Sequence, residues 1–449
     1  MMPKFSDLSN AGRRVVLKAG ALASIAAAAP VAAQRIARPS KAKTFPAGFL
    51  WGAATAAHQV EGNNVNSDVW AIEHVKPSPF AESSGDACDS FHRWPLDLDI
   101  VRSLGLNSYR FSLEWARIEP AENEFSLAML DHYKAMIDGC RARGLKPVVT
   151  LNHFTCPRWF ALKGGWTNAD APLLFARFAD RVARHMAAGI HAVVTLNEPN
   201  LMPLLRWKLP PQAFGDADAV RAAAAKAYGG TNFVAMFVES PAQTKVIQPI
   251  LMKAHTAAKA AIKAVRRDLP VGVSLAIEDD QPAGPSSRRD EKRAYCYDDW
   301  LSLAQHDDFV GVQNYERQRV GDKGDLPPPA DAPKSTRGTE IYPASLAGAA
   351  RYAWERARVP VLVTEHGIGT DDDRQRAAFI PAALADLKAA MAAGVPVLGY
   401  IHWSLLDNFE WVFGYGPKFG LCSVDRTTFR RTPKPSAAVL ATIARGNAV

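Results

Sequence analysis

From residue 45 onward, short apolar runs alternate with longer stretches in which apolar positions recur every three or four residues. The short runs are rich in Val, Ile and Leu. Several lack any polar interruption, as expected for parallel strands covered on both faces. They predict eight strands: Phe49–Ala54, Asn107–Leu113, Lys146–Asn152, Ile190–Asn197, Pro270–Ile277, Asp308–Tyr315, Pro360–Glu365 and Pro396–Trp403. Helical spacing falls between them, at Asp97–Leu104, Leu127–Arg143, Pro172–Met186, Pro249–Arg267, Tyr342–Arg358 and Arg374–Ala393. Gly105, Gly144, Gly189 and Gly394 each follow a helical stretch and precede a strand, where a left-handed residue commonly ends a helix. Eight strands alternating with helices predict a single (β/α)8 TIM barrel. A doubly wound open sheet is the alternative, but no Gly-x-Gly-x-x-Gly follows the first strand. Pro199–Pro241 and Arg317–Gly338 interrupt the alternation and read as long loops. Such loops at the C-terminal edge of a barrel shape the entrance to its site.

Polar residues collect where the predicted strands end. Strand one is followed by Gln59 and Glu61, and strand two carries Arg110. Strand three runs into Asn152-His153, strand four into Asn197-Glu198, and strand six into Asn314-Tyr315. Strand seven delivers Glu365 and strand eight Trp403. Strand five ends at Glu278-Asp279-Asp280, to which the sequence assigns no role. A carboxylate at the C-terminal edge of a barrel strand is poorly placed for core packing and well placed for chemistry. Two carboxylates facing one cleft are the minimum equipment for cleaving a glycosidic bond. Amides and an imidazole to bond hydroxyls, with an indole face for a ring's C–H patch, suit a sugar.

Charge adds an address to this picture. The chain of 449 residues carries a formal charge of +8. Arg13, Arg14, Lys18, Arg35, Arg38, Lys41 and Lys43 supply most of it, so the body is near neutral and carries no nucleic-acid footprint. Gly12-Arg13-Arg14-Val15-Val16-Leu17-Lys18 resembles a twin-arginine export motif. An Ala-rich stretch from Ala19 to Ala29 follows, too short to span a bilayer, then small residues at Val31-Ala32-Ala33. Residues 1–40 are therefore expected to be an export leader, with one domain over 41–449 and a periplasmic location. A disordered basic tail is the alternative. The five cysteines, Cys88, Cys140, Cys156, Cys296 and Cys422, form no C-x-x-C pair and read as buried thiols, with one disulfide as the alternative in an exported protein. No metal-ligand spacing is present.

The body resembles glycoside hydrolase family 1, the β-glucosidase family. Five strings carry the resemblance: Phe49-Leu50-Trp51-Gly52 through Val60-Glu61-Gly62, Tyr109-Arg110-Phe111-Ser112-Leu113-Glu114-Trp115, Thr195-Leu196-Asn197-Glu198-Pro199, Val363-Thr364-Glu365-His366-Gly367 and Trp403-Ser404-Leu405-Leu406-Asp407-Asn408-Phe409-Glu410-Trp411. Each is short, but they occur in order and each lies at a predicted strand end.

The resemblance implies a retaining β-glycosidase that works by double displacement, with no metal or organic cofactor. Glu198 would be the general acid/base and Glu365 the nucleophile. Asn197 would bond the sugar 2-hydroxyl, and Arg110 and Tyr315 would hold Glu365 ionised and oriented. Gln59, His153, Glu410 and Trp411 would bond the other hydroxyls, and Trp403 would form the floor. Glu410 argues for a non-phosphorylated glucoside, galactoside or fucoside, since its charge would repel a 6-phosphate.

The family pattern frays in places. Gly311-Val312-Gln313-Asn314-Tyr315 puts Gln313 where an Asn is usual. A one-residue slip would instead align Asn314 and place Glu316 against Glu365. His366 replaces the usual Asn after the nucleophile, and His153-Phe154 a more common His-Trp pair. Each carboxylate has a bland alternative, Glu198 as a surface acid and Glu365 in a structural ion pair. His255 reads as structural and Asp371-Asp372-Asp373 as a turn or helix cap. A transglycosidase with the same residues, or a sugar-binding barrel without catalysis, remain the competing functions.

Overall fold

All eight expected strands form, each within two residues of its expected ends. They are β1 (Leu50–Ala54), β2 (Ser108–Ser112), β3 (Lys146–Asn152), β4 (Ala192–Asn197), β5 (Val271–Ala276), β6 (Phe309–Asn314), β7 (Val361–His366) and β8 (Val397–Trp403). The computed structural model describes residues 44–449, so the expected leader and its cleavage site lie outside the described residues. Every neighbouring pair is parallel, and β1 pairs with both β2 and β8 to close the ring. This is a (β/α)8 barrel.

The period-2 alternation of each strand sorts its residues between two cores. Leu50, Val148, Val194, Phe309, Leu362, Ile401 and Trp403 form one cluster that plugs the ring. Tyr109, Phe111, Val149, Val193, Val273, Val310 and Val363 join the larger core between ring and helices. Continuous apolar strands follow from burial on both faces.

Two strands depart from even pairing. Between Val194 and Asn197, β4 carries one more residue than β5 opposite it. Between Val363 and Glu365, β7 carries one more than β6. A bulge re-aims the side chains that follow it. Here each stands directly before a motif glutamate.

Helix boundaries differ more from expectation. The helix expected from Asp97 begins at Ser90 and runs through Pro95, and that expected from Pro249 begins at Pro241. An internal proline removes one backbone bond without ending a helix whose face is buried. Ser240 starts the second helix with a reciprocal capping box to Gln243. Gly105, Gly144 and Gly394 take positive φ, as a helix stop requires, but Gly189 does not. At Gly189 the constraint is space, because a Cβ would stand 2.5 Å from Ile137 Cγ2.

The two expected loops also hold more structure than their composition suggested. Helices Leu201–Lys208 and Ala217–Ala227 lie within Pro199–Pro241. Arg317–Gly321 joins Asp279–Pro282 and Gly324–Asp325 in a three-stranded sheet. All five cysteines are free and buried.

Candidate active site

Glu365 is held by a cation and a phenol. It is 3% exposed at the end of β7. From mid-β2, the Arg110 guanidinium donates to its Oε1 at 2.6 Å. Tyr315, one residue beyond β6, donates its hydroxyl to Oε2 at 2.5 Å. Tyr315 therefore fills the place the ungapped alignment gave it. Glu316 turns away to Lys208 at 2.5 Å and does not crowd Glu365.

The same arginine orders the amide before Glu198. Arg110 Nη2 donates to Asn197 Oδ1 at 2.6 Å, and Gln313 Nε2 donates to the same oxygen at 2.7 Å. Asn197 Nδ2 is thereby turned to His153 Nε2, 3.1 Å away. That nitrogen must accept, which puts the His153 proton on Nδ1. Burial and the Arg110 charge hold the His153 pKa well below its usual value, so the ring is neutral. His153 Nδ1 is a buried polar atom without a partner. Gln59 is complementary: its Nε2 is spent on Asn408 Oδ1 (3.0 Å) and the Phe409 carbonyl (2.7 Å), and its Oε1 is a buried acceptor without a partner.

Indoles enclose this polar group. The His153 ring stacks between Trp403 (5.7 Å) and Trp411 (6.1 Å). Trp411 is covered on another side by His58 at 5.6 Å. His58 is fixed by Glu73 (2.9 Å) and Asn64 (3.1 Å). Trp403 Nε1 donates to Glu410 Oε1 at 3.3 Å. Glu198 and Trp411 both adopt left-handed backbone, φ +44° and +53°. Such residues cost about 1–3 kcal/mol each and gather at functional sites.

Glu198 has very different surroundings. It is 8% exposed, and among the described residues its carboxyl has no ion-pair partner. Burial pushes its pKa well above the usual range, and the charge of Glu365 adds to the shift against Arg110 and Arg337. Burial raises Glu365 too, but Arg110, Tyr315 and Gln313 all oppose it. A single proton shared by the pair therefore rests on Glu198. Burial pushes Glu410 up to about 8, so it is mostly neutral at pH 7. The charge that was to repel a 6-phosphate is weaker than the sequence implied.

The structure thus brings Gln59, Arg110, His153, Asn197, Glu198, Tyr315, Glu365, Trp403, Glu410 and Trp411 to the C-terminal mouth of one barrel. Other strand-end groups go elsewhere. Glu61 pairs with Arg117 at 2.9 Å and accepts from Tyr133 at 3.0 Å. His366 points behind β7, stacking on Phe379 and meeting the Tyr400 hydroxyl at 3.0 Å. The unassigned acids Glu278 and Asp280 hold the fully buried Lys292, at 2.6 and 2.7 Å. His255 bonds Thr195 (2.7 Å) and Asp307 (3.1 Å), and Asp372 caps the helix Asp373–Ala392. A mostly apolar pocket borders Asn197 and Glu198, lined also by Phe154, Leu196, Met202 and Leu251. Two neighbours escaped sequence reasoning. Asn408 orients Gln59, and its place inside a motif string was the available signal. Arg337, in the loop after β6, gave none.

Two buried acids under unequal support, among amides and indoles on this barrel, define a hydrolase class that cleaves glycosidic bonds with a carboxyl pair. Residues 41–318 and 298–449 match the family model described as Glycosyl hydrolase family 1, and the chain belongs to that family. It is similar to "Beta-glucosidase A" of Thermotoga maritima, 30% identical over 444 residues covering 90% of this chain and 98% of that one. A solved beta-glucosidase, 1317, superposes with a TM-score of 0.86 at 43% identity, over 89% of this chain and 98% of that chain. The Thermotoga maritima beta-glucosidase in complex with noeuromycin gives 0.79 at 27% identity, over 91% and 100%.

Proposed function

We propose that the protein is a retaining β-glucosidase of non-phosphorylated β-glucosides, extending to β-galactosides or β-fucosides, and that Glu365 and Glu198 divide the chemistry. The asymmetry of their support carries the reading: Glu365 is held by a cation and a phenol, and Glu198 by neither. Glu365 attacks the anomeric carbon. Glu198 gives its proton to the glycosidic oxygen, and the aglycone leaves. Glu198, now ionised, takes a proton from water, which attacks the glycosyl-enzyme and releases Glu365 with net retention.

Recognition follows from the partnerless atoms. Buried polar atoms need partners. A sugar hydroxyl can accept from His153 Nδ1–H and another can donate to Gln59 Oε1. Glu410 serves a hydroxyl in either protonation state, and the indoles of Trp403 and Trp411 cover the ring face. Arg110, the buried cation at the glycone end, is already committed to Glu365 and Asn197, which leaves a phosphate dianion on the sugar without that partner.

The test is proton NMR of an aryl β-glucoside during turnover. The β-anomer of glucose should appear first, and an initial α-anomer would end the double-displacement reading. Export is also part of this proposal, motivated by Arg13-Arg14 and the Ala-rich stretch after them. Changing both arginines to lysine should leave the protein in the cytoplasmic fraction. Unchanged periplasmic recovery would remove the twin-arginine route.

A further inference from the structure

The loop after β6 carries a cation that the proposed chemistry does not use. Its tip is a fastened turn. The backbones of Lys334 and Glu340 pair in an antiparallel β-bridge, Ser335 N–H donates to the Thr339 carbonyl at 2.9 Å, and Gly338 N–H to the Ser335 carbonyl at 2.9 Å. Arg317 grips Glu340 with two N–H groups, at 2.8 and 2.7 Å. Thr336 N–H donates to the Gly369 carbonyl, 2.9 Å away, beyond β7. Gly369 permits this approach: a Cβ there would stand 3.0 Å from both Thr336 Oγ1 and Phe419 Cζ.

Arg337 is held out from this turn over the site. Its guanidinium carbon lies 5.6 Å from the Tyr315 ring centre and 5.4 Å from that of Phe419. Those rings meet nearly edge to face, 5.7 Å apart. The positive charge of Arg337 is felt by Glu198, Glu410 and Glu316, and lowers each. Yet among the described residues none of these acids pairs with it, and Glu316 is already taken by Lys208. The side chain is exposed. A guanidinium backed by aromatic faces keeps its planar fork free for a carboxylate.

Its position decides which part of a substrate it meets. The glycone lies at the enclosed end, among Gln59, His153 and Trp403, all buried. The leaving group lies beside Glu198, towards solvent. We propose that Arg337 forms a subsite for an anionic aglycone, a carboxylate-bearing phenol carried as its β-glucoside. This rests on the β-glucosidase reading above.

The experiment measures kcat/KM for 4-carboxyphenyl β-D-glucoside and for its neutral methyl ester, with wild type, Arg337→Gln and Arg337→Lys. Removing the charge also changes Glu198, but that acts on both substrates and cancels in their ratio. The intrinsic difference between the two leaving groups is the same for every variant and cancels when the variants' ratios are compared. The anion-to-ester ratio should fall roughly 5–20-fold in Arg337→Gln and stay near wild type in Arg337→Lys. Turnover of the ester by each variant shows that it is folded. A ratio within twofold of wild type in Arg337→Gln overturns the proposal. So does an Arg337 dependence seen only for 4-nitrophenyl β-D-glucuronide or the 6-phosphoglucoside, which would put the anion on the glycone. Failure of wild type to cleave even the neutral ester would instead remove the β-glucosidase reading.

Discussion

Glu365 and Glu198 stand at the ends of two strands built alike, and their surroundings could hardly differ more. Both strands carry an extra residue just before the glutamate. Both carboxyls are buried. Glu365 faces the ring of strand-borne donors, and receives a guanidinium from β2 and a phenol from beyond β6. Glu198 begins the segment leading to Leu201–Lys208 and, among the described residues, its carboxyl meets no fixed donor. A barrel interior gives short, rigid reach between strands, so it can hold an anion ready. The edge towards the loops leaves a carboxyl dry and unpaired, so it holds a proton. On the proposed mechanism, the two roles of a retaining pair would follow from which side of the strand end each acid faces.

Removing the supported acid should do the most damage. Glu365→Ala should lower kcat on an aryl β-glucoside by on the order of 10⁵-fold or more, because it removes the proposed nucleophile. Azide or formate should restore turnover and yield the inverted product. Wild-type rates in this variant would end the assignment. Glu198→Gln comes next, at roughly 10²–10⁴-fold for a phenol that leaves poorly. Its loss should shrink for a 2,4-dinitrophenyl glucoside, whose leaving group needs no proton. Equal losses on both substrates would take Glu198 out of proton transfer.

The supported side of this comparison was also the legible side. Arg110, Asn197, Tyr315 and Glu365 sit on or beside regular strands, and local strings of apolar and polar residues locate them. The bulges before Asn197 and Glu365 were not visible, since pairing register depends on the neighbouring strand. The loop side was misread because its order comes from distant partners. Lys292 is buried by Glu278, Asp280 and Asp325, residues up to 33 positions away. Such a network left Glu278-Asp279-Asp280 looking like unassigned strand-end acids. Arg337 is brought to Tyr315 by a turn pinned to Gly369, and no periodicity announces it. The helices that begin at Ser90 and Pro241 run through Pro95 and Pro249, because packing of a buried face offsets the local cost of each proline and a local pattern does not show that packing.

Weakening the support without removing the acid should cost less. Tyr315→Phe deletes one hydrogen bond to an ionised group, worth about 1.5–3 kcal/mol. That corresponds to roughly a 10–100-fold fall in kcat/KM, with the aryl-glucoside assay as the readout. The acid limb of the pH profile should also move up, because the lost donor favours the ionised form of Glu365. A twofold change or less would mean that Arg110 alone secures the nucleophile.

The smallest effect probes how far each acid sets the other. Glu198 must be protonated to donate, so activity should fall as pH rises through its elevated pKa. Part of that elevation comes from the negative charge of Glu365, and the larger part from burial. Glu365→Gln keeps the shape and removes the charge. The Glu198 carboxyl should then titrate lower than in the wild type, yet still above an ordinary glutamate, because burial remains. Carbon-13 NMR of labelled glutamate side chains reads this directly, with Glu198→Gln identifying the resonance. A Glu198 titration unmoved by the change would mean that the two carboxyls do not share a proton, and that burial alone protonates the acid.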